Sequence, residues 1–184
     1  MGGMRCPILV AAWFGLAGLA ACNPAYNWRE IRTDGTDLVA WLPCQPDRGA
    51  RVVPLAGRSV ELQMTGCESG GATFAVARAD VPGEQAAATL AQWRAVTLGN
   101  VQAADAAALA PFLPAGAMPL PGSVRASATG RRPDGGAALQ VHAAWFARGT
   151  PAGVQVFQAI IYVEGAKALP EGVADAFFAG LKFP

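Results

Sequence analysis

Hydrophobic and polar positions follow different rhythms along the chain. Between residues 27 and 79 apolar positions recur in short runs broken by turn residues. The clearest run covers 59–66. Val60, Leu62 and Met64 point one way there, and Glu61, Gln63 and Thr65 the other, as in a half-buried antiparallel strand. Similar short strands are predicted at 27–32, 38–42, 51–55 and 72–79. Asp34-Gly35, Ala56-Gly57-Arg58 and Ser69-Gly70-Gly71 supply turns between them, and residues 46–50 read as loop. The period then lengthens. Pro82-Gly83-Glu84 opens a helix that runs to about Leu98, where Gly99-Asn100 can stop it. Ala86, Leu90, Trp93 and Thr97 form its stripe, and the alanine content favours helix. Residues 103–110 offer a second short helix.

Residues 111–122 hold four prolines and two glycines and cannot form a regular element. Phe112, Leu113, Met118 and Leu120 lie within this segment. One reading is a loop that caps the sheet and buries them. The other is an exposed partner-docking loop. Capping is favoured, because soluble domains rarely expose such patches. Strands resume at 123–129, 139–147 and 154–163, with a turn at Pro133-Asp134-Gly135-Gly136. The strand at 154–163 is apolar on both faces, which predicts a central strand covered on both sides. Pro170 and Glu171 start a closing helix with a stripe of Leu169, Val173, Phe177 and Leu181. The predicted order is five strands, helix, three strands, helix. That grouping is α+β, with helices on an antiparallel sheet.

The first 21 residues obey other rules. Arg5 supplies a short positive region, and 8–20 is an uncharged apolar run of 13 residues. A spanning helix needs roughly 20 residues, so the run suits a secretory signal better than a membrane span. It ends in Leu19-Ala20-Ala21-Cys22, which resembles the lipobox of bacterial lipoproteins. That resemblance implies cleavage before Cys22, a diacylglyceryl thioether on its sulfur, and acylation of the new amine with a chain such as palmitate. The family's sorting rule keeps Asp-bearing lipoproteins in the inner membrane. Asn23 stands at that position here, which favours the outer membrane, on the periplasmic face. Residues 22–26 become anchor and tether, and residues 27–184 a single domain. Membrane lipid is the first expected partner, through Cys22. Tyr26 and Trp28, beside the tether, could touch headgroups or pack into the core.

Composition changes meaning after that division. The whole chain has 184 residues, with 14 basic and 13 acidic side chains and a formal charge of +1. Removal of 21 residues leaves 184 − 21 = 163. Arg5 goes with them, so 13 basic face 13 acidic groups. A balanced surface gives no overall steering toward phosphate, and nucleic acid is not an expected partner. Cys6 leaves with the signal and Cys22 is lipidated. Cys44 and Cys67 remain and read as one disulfide in an oxidising compartment, the alternative being a thiol or metal site.

No catalytic or cofactor motif emerges. Gly66-Cys67-Glu68-Ser69-Gly70 superficially resembles a nucleophile elbow, but its serine is misplaced and the segment reads as a hairpin turn. His142 is the one histidine, so any histidine-dependent hydrolase must use it. A copper- or thiol-handling site would require Met64, Cys67 and His142 to converge. No metal cluster or phosphate-binding glycine loop is present in the sequence, and no cofactor is expected.

Two further resemblances bear on the mature chain. Its start, Cys22-Asn23-Pro24-Ala25-Tyr26-Asn27-Trp28-Arg29-Glu30 with Trp41-Leu42-Pro43, is similar to small proteobacterial lipoproteins. The element order, with Leu-Pro closing an early strand and an Ala-Phe-Phe-Ala-Gly-Leu-Lys-Phe ending, resembles Mog1/PsbP-like sandwiches. Members of that fold are mostly non-catalytic adaptors and assembly factors. The resulting expectation is a lipid-anchored binding or assembly module of the cell envelope, with a possible envelope-protein partner and no assigned oligomeric state. A hydrolase near His142 and a copper- or thiol-handling protein are the alternatives.

Overall fold

The computed structural model describes residues 25–103, 108–132, 136–165 and 167–184. Cys22 and the signal-like first 21 residues lie outside these residues. The strands are β1 (Arg29–Arg32), β2 (Val39–Leu42), β3 (Asp47–Leu55), β4 (Arg58–Ser69), β5 (Ala72–Val81), β6 (Ala108–Pro111), β7 (Val124–Arg131), β8 (Ala138–Thr150) and β9 (Gly153–Glu164). The helices are α1 (Ala86–Asn100), entered through a 3-10 turn at Gly83–Gln85, and α2 (Val173–Ala179). The class is α+β, with helices on antiparallel strands.

Seven strands form one sheet in the order β3-β4-β5-β9-β8-β7-β6. Strand β9 is the centre, paired from Ala72↔Val163 to Val81↔Val154 with β5 and from Leu139↔Glu164 to Thr150↔Gly153 with β8. Its side chains alternate between two cores, as the two-faced apolar run predicts. Val154, Val156 and Ile160 face α1, while Phe157, Ala159, Ile161 and Val163 face α2.

The second cover differs from the expected five-strand meander. Strands β1 and β2 leave the main sheet and pair only with each other, Arg29↔Leu42 to Arg32↔Val39. This ribbon lies with α2 on one face, because Leu38, Ala40 and Leu42 bury into the phenylalanine-rich core there. The C-terminal tail fastens it. Val39 and Lys182 exchange backbone hydrogen bonds of 2.9 and 3.0 Å, and the Phe183 amide donates to the Ala115 carbonyl at 2.8 Å.

Three other local readings change. Strand β3 begins at Asp47, inside the expected loop, because a wholly exposed edge segment needs only β4's backbone to be a strand. Residues 108–111 form β6 where alanine content suggested helix. Pairing with β7 outweighs a propensity of tenths of a kcal/mol per residue, and Pro111 is tolerated because β6 is an edge. The fold therefore has four strands between the helices, not three. Helix α2 starts at Val173 after left-handed Gly172, so Pro170 stands before its first turn.

The ribbon's turn is held by one buried cation. Arg78 donates to the Asp34 carbonyl at 2.9 Å, to Asp80 at 2.7 Å and to Gln63 at 2.6 Å. Gly35 has φ +68°, and a Cβ there would collide with that guanidinium. A disulfide joins Cys44, just after β2, to Cys67 on β4. It thus ties ribbon to sheet. With 23 residues of separation, its loss costs roughly 3 kcal/mol in the chain-entropy account. Reductant is expected to lower the urea midpoint and to raise the slope, because the reduced denatured chain is less constrained, and coincident curves with and without reductant would refute this contribution.

Candidate functional site

A groove lies between α1 and the sheet, because α1 bridges the strands beneath it. The helix contacts β9 and β8 on one side and reaches β3 on the other. Between these supports β5 presents Ala75, Ala77 and Ala79, while its opposite face carries Phe74 and Val76. Small side chains leave the floor low. The resulting cavity has a volume of about 450 Å³. Sites for small molecules commonly span roughly 300–1,000 Å³ and combine apolar walls with a few polar groups.

Each wall follows from its element. Trp93, Val96, Thr97 and Asn100 line the groove from α1 at helical spacing. Val53, Pro54 and Leu55 from β3, Leu62 and Met64 from β4, and Ile160 and Tyr162 from β9 complete it. Buried Gln158 donates its amide to Thr97 Oγ1 at 2.7 Å, fixing helix to floor. Burial raises the Tyr162 phenol above its usual pKa, so it stays neutral near pH 7. Arg51 stands exposed on β3 and forms no ion pair among the described residues. No carboxylate is among the lining residues. The groove therefore has apolar walls and a cationic rim.

Of the residues singled out from sequence, Met64 lines the groove and the others described fall elsewhere. Phe112 packs edge-on against Phe146 and Phe178, with centroids 6.1 and 5.8 Å away. Met118 donates its amide to the Ala147 carbonyl at 2.8 Å, and Met118 and Leu120 pack against the α1-side core. Leu113 is 52% exposed. The loop thus wraps the sheet with three apolar side chains half-buried and one outside. Tyr26 and Trp28 pack against Phe74 at 6.2 and 6.1 Å.

Met64 faces α1, whereas Cys67 lies on the opposite face and is oxidised. His142 belongs to that opposite face as well, through its cross-strand partner Ser127, 2.9 Å from Nδ1 to Oγ. Met64, Cys67 and His142 therefore do not converge. No group of three or more His, Cys, Asp or Glu side chains suited to a metal occurs among the described residues. Nearby Arg125 pairs with Asp175 at 2.8 Å and lies 4.3 Å over the Phe178 ring. The main cavities are lined by neither His142 nor Ser127. Sequence gave no sign of the Ser127 contact, since only sheet register sets it. The groove was equally hidden, although the alternation of Ala75, Ala77 and Ala79 with larger residues was its one visible trace.

Burial, then the Arg125 charge, lowers the His142 pKa below 6.5, against a smaller opposing effect of Asp175. The unfolded chain then binds more protons between the folded pKa and 6.5, so this contribution is present above 6.5 and lost as pH falls. The urea midpoint is expected to drop between pH 7.5 and pH 5.5, with a smaller drop in His142→Asn. Equal pH dependence in both proteins would exclude His142 as its source.

No protein-family model matches the chain, and no curated protein sequence matches it.

Proposed function

We propose that this chain is a periplasm-facing lipoprotein, anchored by acylated Cys22, in the outer membrane rather than the inner. Its folded domain is a non-catalytic binding or assembly module of the cell envelope, and the α1 groove is its ligand site. The observation that carries the anchoring is Leu19-Ala20-Ala21-Cys22 at the end of a charge-free run of signal length. The groove supports the binding half, having the size and wall chemistry of a ligand site. The finer fold assignment we carry with it is the Mog1/PsbP-like sandwich, in keeping with a sheet covered on both faces.

The start of the described chain favours close membrane apposition. The Ser69 hydroxyl donates to the Ala25 carbonyl, and the Asn27 amide donates to the Pro43 carbonyl at 2.8 Å. Only Asn23 and Pro24 then separate the proposed lipidated residue from chain already held on the domain. The three steps from Cys22 to Ala25 reach about 10 Å when extended. Acylation with more than one chain makes such an anchor stable, since each buried CH₂ contributes about 0.8 kcal/mol.

Metabolic labelling with radioactive palmitate tests the anchor. Wild type is expected to incorporate label and fractionate with membranes, while Cys22→Ala incorporates none. Equal labelling of the two would refute lipidation at this residue.

A further inference from the structure

We infer that the α1 groove takes one long acyl chain of an anionic single-chain amphiphile, with the head group at Arg51. This deepens the binding-module reading and rests on it. Three features of the groove converge on that occupant.

The first is size and lining. The cavity between α1 and the sheet has a volume of about 450 Å³ and is lined mostly by apolar side chains. The sheet face contributes Leu62, Met64, Ala75, Ala77 and Ile160, and α1 contributes Val96. A flexible hydrocarbon can occupy such a space, and Met64 can adjust its rotamers around it.

The second is the polar inventory. The buried amide of Gln158 is already spent on Thr97, and Tyr162, Trp93 and Asn100 carry the other uncharged polar side-chain groups of a mostly apolar lining. Burying an unpaired polar group costs a few kcal/mol, which selects an apolar tail for the interior.

The third is charge. Arg51 is the cationic group on the lining, with no acid among the lining residues to neutralise it. Register places it opposite Leu62, on edge strand β3, with Gly49 two positions along opposite Met64. The rim beside Arg51 is therefore low, leaving its guanidinium space to pair with a carboxylate or phosphate while the tail lies inside.

The test uses the full chain in isolated membranes. The probe is a long-chain fatty acid carrying a diazirine in mid-chain, crosslinked by light and mapped by mass spectrometry. Label is expected on Met64, Val96 or Ile160. Ala77→Trp, which fills the floor, is expected to cut groove labelling about tenfold, equivalent to about 1.4 kcal/mol. Arg51→Glu, on the exposed rim, is expected to cut it several-fold without disturbing the fold. Protease resistance and the intact Cys44–Cys67 bond monitor folding of both variants. A neutral diazirine alcohol of equal length is expected to label more weakly than the acid.

Label confined to the 111–122 loop, or groove label unchanged in both variants, would overturn the inference. Equal labelling by acid and alcohol would overturn the role of Arg51. Crosslinks between two copies of the chain through groove residues, in place of probe, would make the occupant a second protomer and overturn it too. The probe is supplied to the membrane independently of Cys22. Loss of groove label with normal palmitate incorporation therefore defeats the acyl-chain inference alone, whereas loss of palmitate with retained groove label defeats only the anchor.

Discussion

Two-sided burial of β9 is the constraint on which the other elements depend. Its backbone is saturated by β5 and β8, and its side chains project alternately into two apolar regions. Neither face can meet water without losing roughly 25 cal/mol per Å² of apolar surface left uncovered. Each face therefore needs its own lid. Helix α1 covers one. The other is covered by α2 and the β1–β2 ribbon, elements from opposite ends of the domain. Joining them demands long-range ties, among them the Val39–Lys182 backbone pair, the Lys182–Glu30 ion pair, the Cys44–Cys67 disulfide and the Arg78 contacts to the ribbon turn.

The two faces are filled to different depths. Phe146 and Phe157 stack at 5.2 Å on the α2 side, and Phe74, Phe177, Phe178 and Phe183 extend this aromatic cluster. On the α1 side the same strand β5 contributes alanines. Protein interiors normally approach crystal density, so unfilled apolar space beside a helix forgoes dispersion contacts that larger side chains would supply. Retained space of that kind is where binding can occur without rearranging the sheet. The dense face supplies rigidity and the shallow face supplies room. His142 and Ser127 are held in register on the dense side.

Much of the fold was legible in local pattern. Alternation at Val60, Leu62 and Met64 marked β4, the two-faced run at 154–163 marked the central strand, and the Ala86–Leu90–Trp93–Thr97 stripe marked α1. The failures share a cause. Strand β3 and strand β6 are sheet edges with few or no buried side chains, so hydrophobic periodicity carries no information about them. Their state is set by the hydrogen-bonding partner across the ladder. The separation of β1 and β2 from the main sheet was invisible for a related reason, since a strand's own sequence does not say which edge it will join.

The sequence by itself determined the class of elements, the even pair of cysteines, the charge balance and the signal-like start, because each is a property of neighbouring residues or of composition. Only the tertiary structure decided that Met64 and Cys67 face opposite ways from the sheet, that Ser127 meets His142, and that Ala75 and Ala77 underlie a groove rimmed by Arg51. Those facts depend on register and on the height of side chains between two elements distant in sequence. Neither is encoded in any single segment; both emerge when α1 is set across strands whose small residues leave it a gap to span.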